Sequence, residues 1–188
     1  MARRSLHSLL SSRDGSASVE FVVIFLAFIS IIFFVVEVTL YMFFMASLEK
    51  AAEAGVRAAV VSNPVVNIRT VNNPIGSIAE GTKCTPTTCE RFPARSCNGN
   101  CSGAAFNRVL AHMQGFNGQI KRENVSITYT DTGIGFAGGP SAPMVTVRVS
   151  GIPFQTGILA LLLDLATANQ LATMPAQSAS MTGEDLAQ

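Results

Sequence analysis

The sequence predicts an α+β protein: a long N-terminal transmembrane helix that extends into a small domain with a short antiparallel sheet. Three observations lead there. Residues 21–45 form an apolar run broken only by Ser30, Glu37 and Thr39. Helical spacing then continues to about residue 61. In the C-terminal half, short segments alternate apolar and polar residues with the two-residue period of a half-buried strand.

The apolar run comes first because it fixes the class. About 20 apolar residues cross the ~30 Å hydrocarbon core of a bilayer. Residues 21–45 exceed that length, so the segment spans with some tilt. The run also skews the composition: 48% of the chain is hydrophobic, 13% is charged, and the formal net charge is +1. There is no basic patch and no Trp, which argues against a nucleic-acid partner.

In front of the run stands Gly15-Ser16-Ala17-Ser18-Val19-Glu20-Phe21, preceded by a polar leader with Arg3, Arg4 and Arg13. A secretory signal places its apolar core before a small-residue cleavage site. Here the order is reversed, so a cut after Gly15 would remove the leader and keep the anchor. Lys and Arg are concentrated before the run. After it, Lys50 and Arg57 are offset by Glu49 and Glu53. This bias predicts the N-terminus inside and the C-terminus outside.

The Gly15 site resembles the processing site of type IV prepilins and pseudopilins. Further residues extend the likeness: Glu37 late in the run, Lys50-Ala51-Ala52-Glu53-Ala54-Gly55-Val56-Arg57, and Ser178-Ala179-Ser180-Met181-Thr182-Gly183-Glu184. Together they resemble the TadE/TadF-like minor pilins of the tight-adherence (Flp) pilus system. The likeness is good over residues 13–62, loose over 123–184, and absent between. Many relatives carry a Pro early in the apolar run, and this chain has none there.

The resemblance implies cleavage between Gly15 and Ser16 by a prepilin peptidase, with Glu20 and Phe21 serving assembly. Glu20 would pair with the amine that cleavage frees on Ser16 of a neighbouring subunit. Other pilin and pseudopilin subunits and the Tad inner-membrane platform are the implied partners. The implied location is the bacterial inner membrane, single-pass, with the C-terminal domain in the periplasm or within a pilus. Four segments follow: a prepilin-type leader at 1–15, the helix at 16–62, a cysteine-containing irregular region at 63–103, and an α+β periplasmic domain at 104–188.

Past the membrane the helix continues without Pro. Leu48, Ala52, Gly55 and Ala59 recur at helical spacing, and the small residues among them suit close packing on a sheet or another helix. Glu53 and Arg57 stand in the favourable i,i+4 order. Ser62-Asn63-Pro64 ends the helix.

Residues 64–103 are rich in Asn, Pro, Gly, Ser and Thr and read as a long irregular connection. All four cysteines, Cys84, Cys89, Cys97 and Cys101, fall inside it. A periplasmic setting favours two disulfides, with three connectivities open. A four-cysteine zinc site is the rival, without the usual paired Cys-x-x-Cys knuckles.

Residues 104–115 predict a short helix, with Phe106, Val109, Leu110 and Met113 on one side and His112 as a surface residue. Val125, Ile127 and Tyr129 mark one strand, Val145, Val147 and Val149 a second, and residues 175–181 a third. Gly133-Ile134-Gly135-Phe136-Ala137-Gly138 matches G-x-G-x-x-G by letter. It lies between two strands rather than before a helix, so it reads as a hairpin loop and not a nucleotide site. Residues 158–171 are apolar but too short for a second span and read as a surface-packed helix or broken turn.

No Ser-His-Asp arrangement, H-E-x-x-H or paired carboxylates occur. The expectation is a structural and assembly subunit, not an enzyme, with no cofactor and no small-molecule substrate. A membrane-anchored periplasmic binding module that never enters a filament is the competing reading.

Overall fold

The computed structural model describes residues 16–99, 101–154 and 173–183. The leader with Gly15, the apolar segment at 158–171 and the tail after Gly183 lie outside the described residues. In chain order the elements are α1 (Ser16–Val60), β1 (Arg95–Asn98), α2 (Ala104–Gln114), β2 (Val125–Thr130), β3 (Met144–Val149) and β4 (Gln177–Thr182). The described residues fall into two compact units, 16–42 and 43–154 with 173–183, and α1 runs through both.

The long helix and small antiparallel sheet are those the sequence predicts. At 45 residues, α1 is roughly 68 Å long at 1.5 Å per residue. The first unit consists, as described, of the helix alone. Its apolar side chains are exposed on all sides, from Val19 and Phe21 to Leu40 and Met42.

The second unit is built on a four-stranded sheet of order β1-β2-β3-β4, antiparallel throughout. Register puts Val125, Ile127 and Tyr129 opposite Val149, Val147 and Val145. These six are essentially unexposed, so alternation has sorted one face of β2 and β3 into the core. β4 continues that face with Gln177, Ala179 and Met181 opposite the three β3 valines.

The core is closed by the last turns of α1 and by α2. Leu48, Ala51, Ala52, Val56 and Ala59 are buried on α1. On α2 the buried residues are Phe106, Val109 and Met113. Gly55 marks the meeting point. A Cβ built there would lie 2.8 Å from Met113 Cγ and Sδ and 3.2 Å from Val147 Cγ1. Asn117, just past α2, donates from Nδ2 to Ser47 Oγ at 2.9 Å, and the Phe44 and Phe154 rings pack at 5.7 Å.

Three details differ from the sequence reading. The region read as irregular at 63–103 contains β1, which pairs Arg95 with Tyr129 and Cys97 with Ile127. Its four residues show no apolar alternation, because an edge strand with exposed or half-buried side chains needs none. The Glu53 partner is Lys50 at 3.0 Å, not Arg57. On an exposed helix face such pairs differ by only tenths of a kcal/mol, so neither spacing dominates. Leu110 is half-buried rather than core.

The remainder of 63–103 is ordered chiefly by backbone hydrogen bonds to the 131–143 loop. Buried Asn72 accepts from Gly138 N–H, donates its own N–H to Gly139 O, and donates from Nδ2 to Ile134 O and Pro140 O. Cys84 N–H donates to Gly135 O and Ala137 N–H to Thr82 O. Gly135 has φ +121°, and a Cβ on it would press on the Asn72 amide.

Tyr129 anchors the chain as it leaves α1. Its ring is fully buried and its Oη accepts from Val65 N–H at 3.2 Å. Burial pushes the Tyr129 hydroxyl above the usual tyrosine value, partly offset by that hydrogen bond.

Two outcomes follow from this packing. Gly55→Leu is expected to lower the unfolding free energy of the second unit by about 1–3 kcal/mol through overpacking, read by chemical denaturation in detergent. Adding Met113→Ala should recover part of that loss, and strict additivity of the two changes would rule out the contact. Tyr129→Phe should cost about 1 kcal/mol near neutral pH. The folded state holds the Tyr129 proton more tightly than the unfolded state, so that contribution is complete below about pH 10 and declines as pH rises above it. The gap in unfolding midpoint between wild type and Tyr129→Phe should therefore narrow at alkaline pH.

Candidate functional site

The first turns of α1 hold the residues that the sequence singles out. Ser16 is the first residue of the helix. Glu20 follows one turn later and is exposed. Phe21 is 67% exposed and its ring stacks on Phe25 at 6.0 Å. Gly15 lies outside the described residues, so the structure places Ser16, Glu20 and Phe21 together without it.

The helix behind this turn is apolar on every side, the pattern of a helix surrounded by an apolar medium. The two aliphatic hydroxyls of residues 21–45 are satisfied internally. Ser30 Oγ donates to Leu26 O and Thr39 Oγ1 to Val35 O, each at 2.8 Å. Such back-bonds leave no free hydroxyl donor to hydrocarbon. Among the described residues, α1 is the one helix long and apolar enough to cross a membrane, and none of its most apolar window is buried. That is compatible with a single-pass anchor.

The two carboxylates of the run have opposite settings. Glu20 is exposed. Glu37, late in the run, is only 9% exposed and is not without a partner. A buried carboxylate is stable only when paired or hydrogen-bonded.

The cysteines join as nearest neighbours, Cys84 to Cys89 and Cys97 to Cys101. Cys84 and Cys89 form a small buried cluster with Ala137 of the 131–143 loop. Cys97–Cys101 links β1 to the chain entering α2. With all four sulfurs in disulfides, no thiolate is free to ligate zinc. Among the described residues no group of His, Cys, Asp and Glu is arranged for a metal. The glycine-rich loop joins β2 to β3 with no helix behind it, and His112 is exposed.

Sequence reasoning passes over Arg69, Arg91 and Arg95, which line one groove. Nothing in their spacing groups them. They meet because Glu90 N–H donates to Asn73 O and Ile75 N–H to Thr88 O, folding 69–75 beside 88–91.

Together these features define an α+β protein with one N-terminal apolar helix whose exposed face can serve as an anchor. The family described as TadE-like protein matches residues 15–57, the stretch that runs from the Gly15 site through Gly55 and Arg57. That segment of the chain is similar to TadE-like proteins, and the sheet and loops lie beyond the match. No curated protein and no solved structure matches the chain.

Proposed function

We propose that the chain is a minor pilin or pseudopilin of a Tad-type (Flp) pilus or secretion apparatus, a structural and assembly subunit rather than an enzyme. The observation that carries this reading is the match of TadE-like proteins to residues 15–57, coinciding with an apolar helix that exposes Glu20 at its start. A prepilin peptidase cuts after Gly15 on the cytoplasmic side. The helix stays in the inner membrane, and the second unit folds in the periplasm, where both disulfides persist.

The role of Glu20 follows from solvation. An exposed carboxylate at the edge of an apolar helix is tolerated while it reaches water or headgroups. Packing against other helices removes that solvent, and the charge then needs a partner. The amine freed on Ser16 of an adjacent subunit carries the opposite charge one turn earlier on the helix. Pairing with it makes assembly depend on prior cleavage, because the amine does not exist beforehand. Glu37, buried in its own chain, is not needed for this step.

The test is made in the native host at equal protein abundance. Gly15→Leu should retain the leader by mass spectrometry and abolish pilus output. Glu20→Val should be inserted and cleaved, yet lose pilus output and crosslinks to other pilin-like subunits. Glu20→Asp should be partly defective, since a shorter side chain must reach the same amine. A native chain that keeps its leader in cells with an active peptidase would overturn processing. Wild-type output from Glu20→Val would favour an anchored module outside any filament.

A further inference from the structure

The arginine groove carries a second role. It holds about 390 Å³ and is lined by Arg69, Arg91 and Arg95, with Phe92 and Pro93 in its wall. Arg69 is paired, its Nη1 lying 2.8 Å from Glu90 Oε2. Among the described residues Arg91 and Arg95 have no ion pair. In a chain with only 13% charged residues, two guanidiniums without an ion pair in one concave site stand out.

The site is held in shape. Asp131 makes no ion pair with the arginines within 4 Å; its oxygens accept from the backbone N–H groups of Phe92 at 3.0 Å and Gly133 at 2.7 Å. These bonds fix the chain on both sides of the Arg91 guanidinium. That guanidinium occupies the space where a Cβ of Gly133 would stand, so the exposed Arg91 side chain lies along the loop.

Arg95 is also the first residue of β1, and β1 pairs with β2 alone. No backbone hydrogen bond reaches its other edge among the described residues. An open edge accepts an added strand. Forked guanidiniums recognise carboxylates in two-point fashion. We propose that the groove and the β1 edge together dock an extended acidic segment of a partner polypeptide, which adds as a fifth strand with its carboxylates on Arg91 and Arg95. A glycan or a phosphate would use the arginines but leave the strand edge empty. The proposal stands whether or not the chain enters a filament.

The test uses the full chain in detergent micelles and a fluorescent peptide with Glu at alternate positions, read by anisotropy. The acidic peptide should bind, and more weakly as salt is raised. A Gln-for-Glu peptide should bind about tenfold or more weakly, since charged contacts are lost. The acidic peptide N-methylated at alternate residues should weaken comparably, because it cannot complete a strand ladder. The double variant Arg91→Gln/Arg95→Gln should lose binding with an unchanged unfolding midpoint. The two altered peptides need no variant, so they decide the matter even where the double variant folds poorly. Binding that is absent, or equal for the N-methylated peptide, or unchanged in a folded double variant, would overturn the proposal. Displacement by pyrophosphate or polygalacturonate at lower concentration than by unlabelled acidic peptide would assign the groove to a different ligand and overturn the peptide occupant.

Discussion

At Gly55 the backbone of α1 comes within side-chain contact of two other elements, with Met113 of α2 and Val147 of β3 filling the space a Cβ would take. The second unit depends on that approach. Its sheet buries one face of valines and Tyr129, and a sheet with one apolar face needs a covering layer. α2 has only 11 residues and cannot supply the layer alone. α1 supplies the rest through Ala51, Ala52, Gly55 and Ala59, whose small side chains keep helix and sheet close. Gly in a helix interior costs roughly 1 kcal/mol in propensity, which the contacts of Met113 and Val147 offset. Residues around Gly55 are also where the TadE-like match ends, so the family segment includes the docking surface for the domain as well as the apolar run.

One helix therefore carries an apolar stretch compatible with a membrane anchor and a stretch packed on the sheet, and its polar residues differ accordingly. In the apolar stretch Ser30 and Thr39 are bonded to the backbone one turn earlier. Beyond it, Lys50 and Glu53 make an exposed ion pair of little energetic weight. Glu20 belongs to neither treatment. It is exposed at the one end of the apolar run where a carboxylate has no internal partner of the Ser30 kind. Unlike a hydroxyl, it cannot be satisfied by donating to a carbonyl, because an ionised carboxylate only accepts. While it stays exposed, water or polar headgroups can supply the donors it needs.

What could be read from the sequence was what repeats. The apolar run, the i,i+3,i+4 pattern of 48–59, the Phe106–Val109–Met113 face, and the alternation in β2, β3 and β4 each declare an element locally. The short-spaced stretch from Gly15 to Phe21 opens the segment that the TadE-like family matches. β1 was hidden because it is an edge strand, paired through backbone and not through an apolar stripe. The burial of Glu37 was hidden because a carboxylate carries the same letter in either setting. The arginine groove was hidden because residues 69 and 91 become neighbours only through hydrogen bonds that no local pattern announces.

The 63–94 segment shows why such regions resist local reading. The sequence suggests that cysteines hold it, yet Cys84–Cys89 closes a loop of separation 5, and loop-closure entropy for so short a ring amounts to about 2 kcal/mol. Ordering some thirty residues costs far more than that. The larger share comes from matching this segment to the 131–143 loop. Asn72 uses its backbone N–H, its carbonyl and its side-chain amide on that one loop, and Ala137 packs on the Cys84–Cys89 sulfurs. Two segments that each lack a secondary-structure pattern thus satisfy one another's buried polar groups, as they must. The glycines at 133 and 135 belong to this arrangement: their positive φ angles bring loop carbonyls to Asn72 and leave room for Arg91. A run that resembles a nucleotide loop by letter is instead the template on which the cysteine-bearing segment, and with it the arginine groove, is laid down.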